Sequence, residues 1–63
     1  MDIVEELKRV SQDKGMTLEA VSRELNVSFQ TVYRWFKGYH KPHKYLHKAI
    51  NVFIKRHQNE KTD

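Results

Sequence analysis

The stretch TLEAVSRELNVSFQTVYRWFKG, residues 17–38, decides the fold. Its first eight or nine residues have the marks of a short helix: Thr17 suits the N-cap, Glu19 suits the positive first turn, and Leu18, Val21 and Leu25 share one face. Asn26 tolerates the left-handed backbone better than most side chains, which places a sharp corner after Leu25. Ser28 then caps a second helix, with Val32, Trp35 and Phe36 on its inward side and Gly38 as its stop. Between Leu25 and Gly38 there is no acidic residue.

Outward from this stretch the helical pattern continues. Ile3, Val4, Leu7 and Val10 form one apolar stripe of a first helix that should end near Gly15. Pro42 suits the first turn of a last helix, along which Leu46, Ala49, Ile50 and Phe53 make the inward stripe. Strand alternation, repeats, linkers and low-complexity runs are missing from the sequence. The expected fold is all-α, a compact bundle of four or five helices in one domain over residues 1–58, with a frayed tail over 59–63.

At 63 residues the chain builds only a small core. Without cysteine it has neither a disulfide framework nor a thiolate zinc site, which fits a reducing compartment. No apolar run approaches the roughly 18 residues of a membrane span, and MDIVEELKRV at the start is acidic and amphipathic, unlike a signal peptide. The expected location is the cytoplasm, at the nucleoid.

Charge is unevenly spread. Residues 1–26 carry six acids against four bases, whereas residues 27–58 carry seven bases, four histidines and no acid. The remaining five residues add −1, giving the total of +4. A small chain that concentrates positive charge in one half is suited to a polyanion there.

Two short helices joined by a tight corner, followed by a basic loop, let the first brace the second so that its outer face can enter a DNA major groove. Residues 17–38 resemble the helix-turn-helix of Cro and phage-repressor-like (lambda-repressor-like, Xre-type) regulators, and the flanking helices extend the likeness to about residue 57. In that resemblance Val21, Leu25, Val27, Val32 and Trp35 stand at the buried positions that set the angle between the helices. Ser22 stands where Ala or Gly is usual, and Asn26 where Gly is usual. Leu18 replaces a Gln that touches phosphate in many relatives, leaving the backbone amides after Thr17 to make that contact.

The same resemblance puts Phe29, Gln30 and Arg34 at base-reading positions, with Ser28, Thr31 and Tyr33 beside them. Arg34 has the donors for guanine, Gln30 the pairing edge for adenine, and Phe29 an apolar surface for a thymine methyl. Thr17 and Leu18, together with the loop residues Lys37, Tyr39, His40, Lys41, His43 and Lys44, are the expected phosphate contacts. The implied function is sequence-specific binding of double-stranded DNA by a transcriptional regulator, a repressor, working as a homodimer that forms either before or on the DNA. Val52 and Ile54 are the expected dimer contacts.

Competing readings are weaker. His43 and His47 have a metal-compatible spacing with His40 nearby, but no acid or thiol completes a site, so no metal and no cofactor is expected. The serines have no base and orienting acid, and no glycine-rich phosphate loop exists, so neither an enzyme nor a small-molecule substrate is expected. The alternative of a different class is a protein-interaction module such as an antitoxin, an anti-repressor or a small phage factor. Its weakness is the lysine-rich, acid-free second half, because interface cores are depleted of Lys.

Overall fold

The computed structural model of the protein describes residues 2–59. Four α-helices follow in order, α1 (Ile3–Asp13), α2 (Leu18–Leu25), α3 (Phe29–Lys37) and α4 (His47–Asn59), with a 3-10 turn at Lys44–Leu46 ahead of the last. Among the described residues there is no strand. α4 runs one residue past the expected domain end at 58, and the rest of the expected frayed tail lies outside the described residues.

The first three helices end alike. Gly15, Asn26 and Gly38 each take a left-handed conformation, with φ of 66°, 61° and 82°. In each case the following amide donates back across the last turn: Met16 to the Ser11 carbonyl at 2.9 Å, Val27 to Ser22 at 3.0 Å, and Tyr39 to Arg34 at 2.9 Å. These bonds occupy carbonyls that a helix end otherwise leaves without partners. At the opposite ends, Thr17 Oγ1 accepts from the Ala20 amide at 3.1 Å and Ser28 Oγ from the Thr31 amide at 3.2 Å. The two expected caps and the left-handed Asn26 corner are all present.

One fully buried apolar residue comes from each helix: Leu7, Val21, Val32 and Ile50. Val4, Val10, Leu25, Trp35, Phe53 and Ile54 close around them, and Val27, Phe36 and Leu46 pack at the margin. Ser11 and Ser22 also face inward. Their hydroxyls donate to carbonyls of their own helices, Leu7 and Glu19, so burial leaves neither unpaired. Ser22 therefore serves as a small residue at the close-contact position, with its polar atom turned back along α2.

The last third of the chain differs from the sequence expectation. Pro42 does not begin a helix. It is buried in the segment leading to the 3-10 turn, where His43 is extended (ψ 151°) and the Leu46 amide donates to the His43 carbonyl at 2.9 Å. His43 accordingly precedes the turn, and only His47 belongs to α4. A proline disfavours helical backbone in the residue before it, and its ring can fill apolar space where its missing N–H could not support a ladder. Ala49 is exposed, not inward, because Ile50, Phe53, Ile54 and His57 set the buried face of α4 and leave Ala49 to one side of it. Ile54 is buried within the chain and is therefore unavailable as a dimer contact, whereas Val52 is exposed.

A polar clamp fixes α4 to the end of α2. Arg56 Nη1 donates to Glu24 Oε2 at 2.9 Å, and His57 Nε2 lies 3.1 Å from both carboxylate oxygens. The His57 ring is buried and tilts against Phe53, with centroids 4.4 Å apart. Partial burial pushes the Glu24 carboxyl up, but the hydrogen bonds and charges of His57 and Arg56 outweigh it and hold the group below the usual carboxylate value.

Two outcomes follow for stability. Asn26→Gly should be neutral or stabilising in urea denaturation, whereas Asn26→Val should cost about 1–3 kcal/mol, since a branched residue is strained in left-handed backbone. A carboxyl lowered on folding contributes stability that is present above its unfolded-chain value and lost as pH falls through the folded one. Stability of the wild type should therefore fall on acidification below about pH 5, and Glu24→Gln should be less stable at pH 7 with a shallower acid loss. Identical acid slopes in the two proteins would show that Glu24 has no part in it.

Candidate nucleic-acid interface

The outer face of α3 is set by what the inner face buries. Val32 and Trp35 are buried and Phe36 is half-buried, so the helix turns Phe29, Gln30, Tyr33, Arg34 and Lys37 to solvent, with Thr31 at the margin. With about 100° per residue, these positions form three lanes. Gln30 and Lys37 run along the crest, Phe29 and Tyr33 along one shoulder, and Thr31 and Arg34 along the other.

Each lane has its own surroundings. Phe29 and Tyr33 are nearly parallel, their ring centroids 6.4 Å apart and their planes at 23°, and the Lys37 ammonium lies 5.7 Å from the Tyr33 centroid. On the opposite shoulder, Thr31 and Arg34 face His40, Lys41 and His43 across a cleft of about 230 Å³ floored by Trp35 and Leu46. That cleft has no acidic residue in its lining.

The end of α3 that leads into the helix is tightly organised. Ser28 and Thr31 hydroxyls are 2.8 Å apart, so both are engaged with each other and with the cap. At the other end the Lys8 ammonium donates to the Phe36 carbonyl at 3.3 Å, bringing α1 against the negative end of the α3 dipole. Sequence reasoning missed this contact, since Lys8 is a helical surface lysine with nothing local to mark it.

The other candidate residues fall in separate places. Thr17 caps α2, and Leu18 packs its side chain against the core, which leaves only its backbone amide for a phosphate. Glu19 adds an acidic residue to the same first turn. Tyr39 is exposed just beyond α3, with its amide bonded to the Arg34 carbonyl. His43 packs at a tilt against Tyr45 with centroids 4.5 Å apart, and Lys44 is exposed at the start of the 3-10 turn. The structure thus joins Thr31, Arg34, His40, Lys41 and His43 in one cleft and places Phe29 and Tyr33 on the opposite shoulder of α3.

The clamp on α4 also escaped the sequence reading. Its signal was the position of Glu24, the last acid before the acid-free run, because two of the cations in that run, Arg56 and His57 when protonated, are turned to it. The cations around α3 and the following loop meet no such carboxylate in the described ion pairs. Among the described residues no group of three or more histidines or carboxylates is gathered as for a metal, and no helix is long and apolar enough to cross a membrane.

Comparison with known proteins adds one family. No curated protein and no solved structure gives a significant match. The model of the homeodomain-like domain matches residues 6–43, a span that begins within α1, contains all of α2 and α3, and ends at the basic cleft. A capped brace, a left-handed corner and an outward second helix are the parts of a helix-turn-helix, and with more than half of its length matched the chain belongs to the homeodomain-like helix-turn-helix family.

Proposed function

We propose that the protein is a sequence-specific double-stranded DNA-binding transcriptional regulator, a repressor of the Cro and phage-repressor-like type, that lays residues 28–36 in the major groove. The observation that carries this reading is the acid-free outer face of α3 with a basic cleft along one shoulder. An α-helix fits that groove, and a cationic rim beside it supplies sequence-independent attraction to phosphate.

The roles divide by side-chain chemistry. Gln30 and Arg34 read base edges, Gln30 pairing with adenine and Arg34 with guanine, while Phe29, Tyr33, Ser28 and Thr31 complete the contact surface. Lys37, Tyr39, His40, Lys41, His43 and Lys44 hold the backbone, joined by the amides after Thr17 and at Leu18. Glu19 weakens that last contact by placing negative charge near it. Bound at a promoter in the cytoplasm, such a domain represses by occluding the DNA.

One recognition helix covers few base pairs, so we place two copies on an inverted repeat with half-site centres about 34 Å apart. Val52 is the contact retained from the sequence expectation, now in a groove with Ala49 of α4 and Tyr45 of the 3-10 turn. That same exposed stripe is what favours the second reading, a protein-interaction module such as an antitoxin, an anti-repressor or a small phage factor. Lys48 lies in the same groove and is a poor residue for an interface core.

Selection of bound duplexes from a randomised library at near-physiological salt tests the proposal. An enriched inverted repeat is the expected result, and no enrichment, with binding abolished by added salt, would turn the search to a protein partner. On the selected site Arg34→Ala should relax preference at one position, a loss of about 1–3 kcal/mol there. Lys41→Ala should instead weaken all duplexes alike and reduce the salt slope by about 1. Equal loss on selected and random duplexes for Arg34→Ala would remove its base-reading role.

A further inference from the structure

We propose that Phe29 and Tyr33 form a recognition element for the C5-methyl group of pyrimidines in the major groove, a reading that rests on the DNA-binding function above. The two rings are the largest apolar surfaces on α3 that the core does not take up: Phe29 is 47% exposed and Tyr33 39%, while Val32 and Trp35 on the same helix are at 0% and 4%. Large apolar side chains left in water as a contiguous pair mark a contact surface. The rings sit on a shoulder of the helix that enters the groove, so that contact is with base edges along one side of it.

The chemistry of the pair narrows what it meets there. Phe29 has no hydrogen-bonding atom, so it cannot read the donor and acceptor pattern of a base edge. The one apolar group in the major groove is the methyl at C5, carried by thymine. 5-Methylcytosine offers the same group. The 6.4 Å between centroids is close to twice the roughly 3.4 Å rise of one base-pair step. The two rings thus span methyl groups within two steps of one another.

Lys37 supports the arrangement. Its ammonium lies 5.7 Å from the Tyr33 centroid and helps hold that ring against the helix, on the crest side of the shoulder. The aromatic lane is separated from the cleft of Arg34, His40, Lys41 and His43 by the crest of α3. Lys37 takes part in both, but otherwise methyl reading and phosphate holding use different side chains and are separable by substitution.

The test uses the full chain and the duplex recovered by library selection. Each thymidine is replaced in turn by deoxyuridine, which keeps every hydrogen-bonding group and removes only the methyl, and affinity is read by fluorescence anisotropy. At one or two positions within two steps of each other, binding should weaken about fourfold per methyl, the equivalent of ~0.8 kcal/mol for a buried methyl-sized group. Phe29→Ala should erase the difference at the position its ring covers, while Asn51→Ala, exposed on α4, retains every one. A parallel selection from a library containing 5-methyldeoxycytidine separates the two sources: enrichment of thymine in both pools assigns thymine, and methylated cytosine at the same positions assigns the modified base. Selective binding that is indifferent to uracil at every position would overturn methyl recognition and leave the regulator reading intact. Failure to enrich any duplex would overturn both.

Discussion

At Asn26 the chain turns through left-handed backbone, φ 61° and ψ 42°, and the Val27 amide closes onto the Ser22 carbonyl. Only Val27 and Ser28 separate that corner from the first residue of α3, so the direction in which α3 leaves is set by a handful of dihedrals and by the packing of Val21, Leu25 and Val32 beneath them. A slacker corner would still permit two helices. It would not hold Gln30 and Arg34 at a fixed offset from the loop that carries His40 and Lys41. The small Ser22, with its hydroxyl folded back on Glu19, is part of the same constraint, because a longer side chain there would push the helices apart.

Around that corner the helices outside the motif act as supports. α1 packs chiefly on α4, and Lys8 reaches from α1 to the end of α3. α4 is tied to the end of α2 by Glu24 with Arg56 and His57. The brace helix is therefore held at both sides. The clamp also has an electrostatic result: two potential cations of the basic half are turned toward Glu24, on the α4 side, while those of α3 and the following loop remain directed at solvent. Much of the charge asymmetry seen along the sequence thus becomes an asymmetry in space, with the positive side where the second helix is exposed.

Local chemistry explains which parts of this were legible from residues alone. Thr17, Ser28, Asn26 and Gly38 act within a turn or two of their own positions, and their side chains or their absence state the backbone they need. The inward faces of α1 to α3 were likewise legible from spacing. The start and phase of α4 were not, because they are decided by distant packing: Pro42 is buried, delaying the helix to His47, and the turning-in of Ile54 and His57 rotates the buried face away from Ala49. At the candidate site, the outward residues of α3 were legible as a set. Their division into an aromatic shoulder, a crest and a cationic shoulder was not, since it depends on where the loop after Gly38 returns. The Glu24 clamp joins residues more than thirty positions apart and leaves no periodic trace.

That division has a consequence for how such a domain can change what it binds. The core contribution of α3 comes from Val32 and Trp35, with Phe36 at the margin, while its six remaining residues are exposed or marginal and lie outside the core cluster. The cap at Ser28 and the left-handed stop at Gly38 are held by backbone and hydroxyl contacts that the crest and aromatic shoulder do not share. Gln30 and Arg34, exposed and outside the core, can thus be exchanged at less cost to folding than Phe29 and Tyr33, which are only 47% and 39% exposed and stack on each other. Trp35 is the opposite case: it is buried in the core and also floors the cleft between Arg34 and the loop, so altering it disturbs stability and the cationic shoulder together. The crest of α3 is separate from its support, and the cationic shoulder meets that support at Trp35, where the core reaches the floor of the cleft.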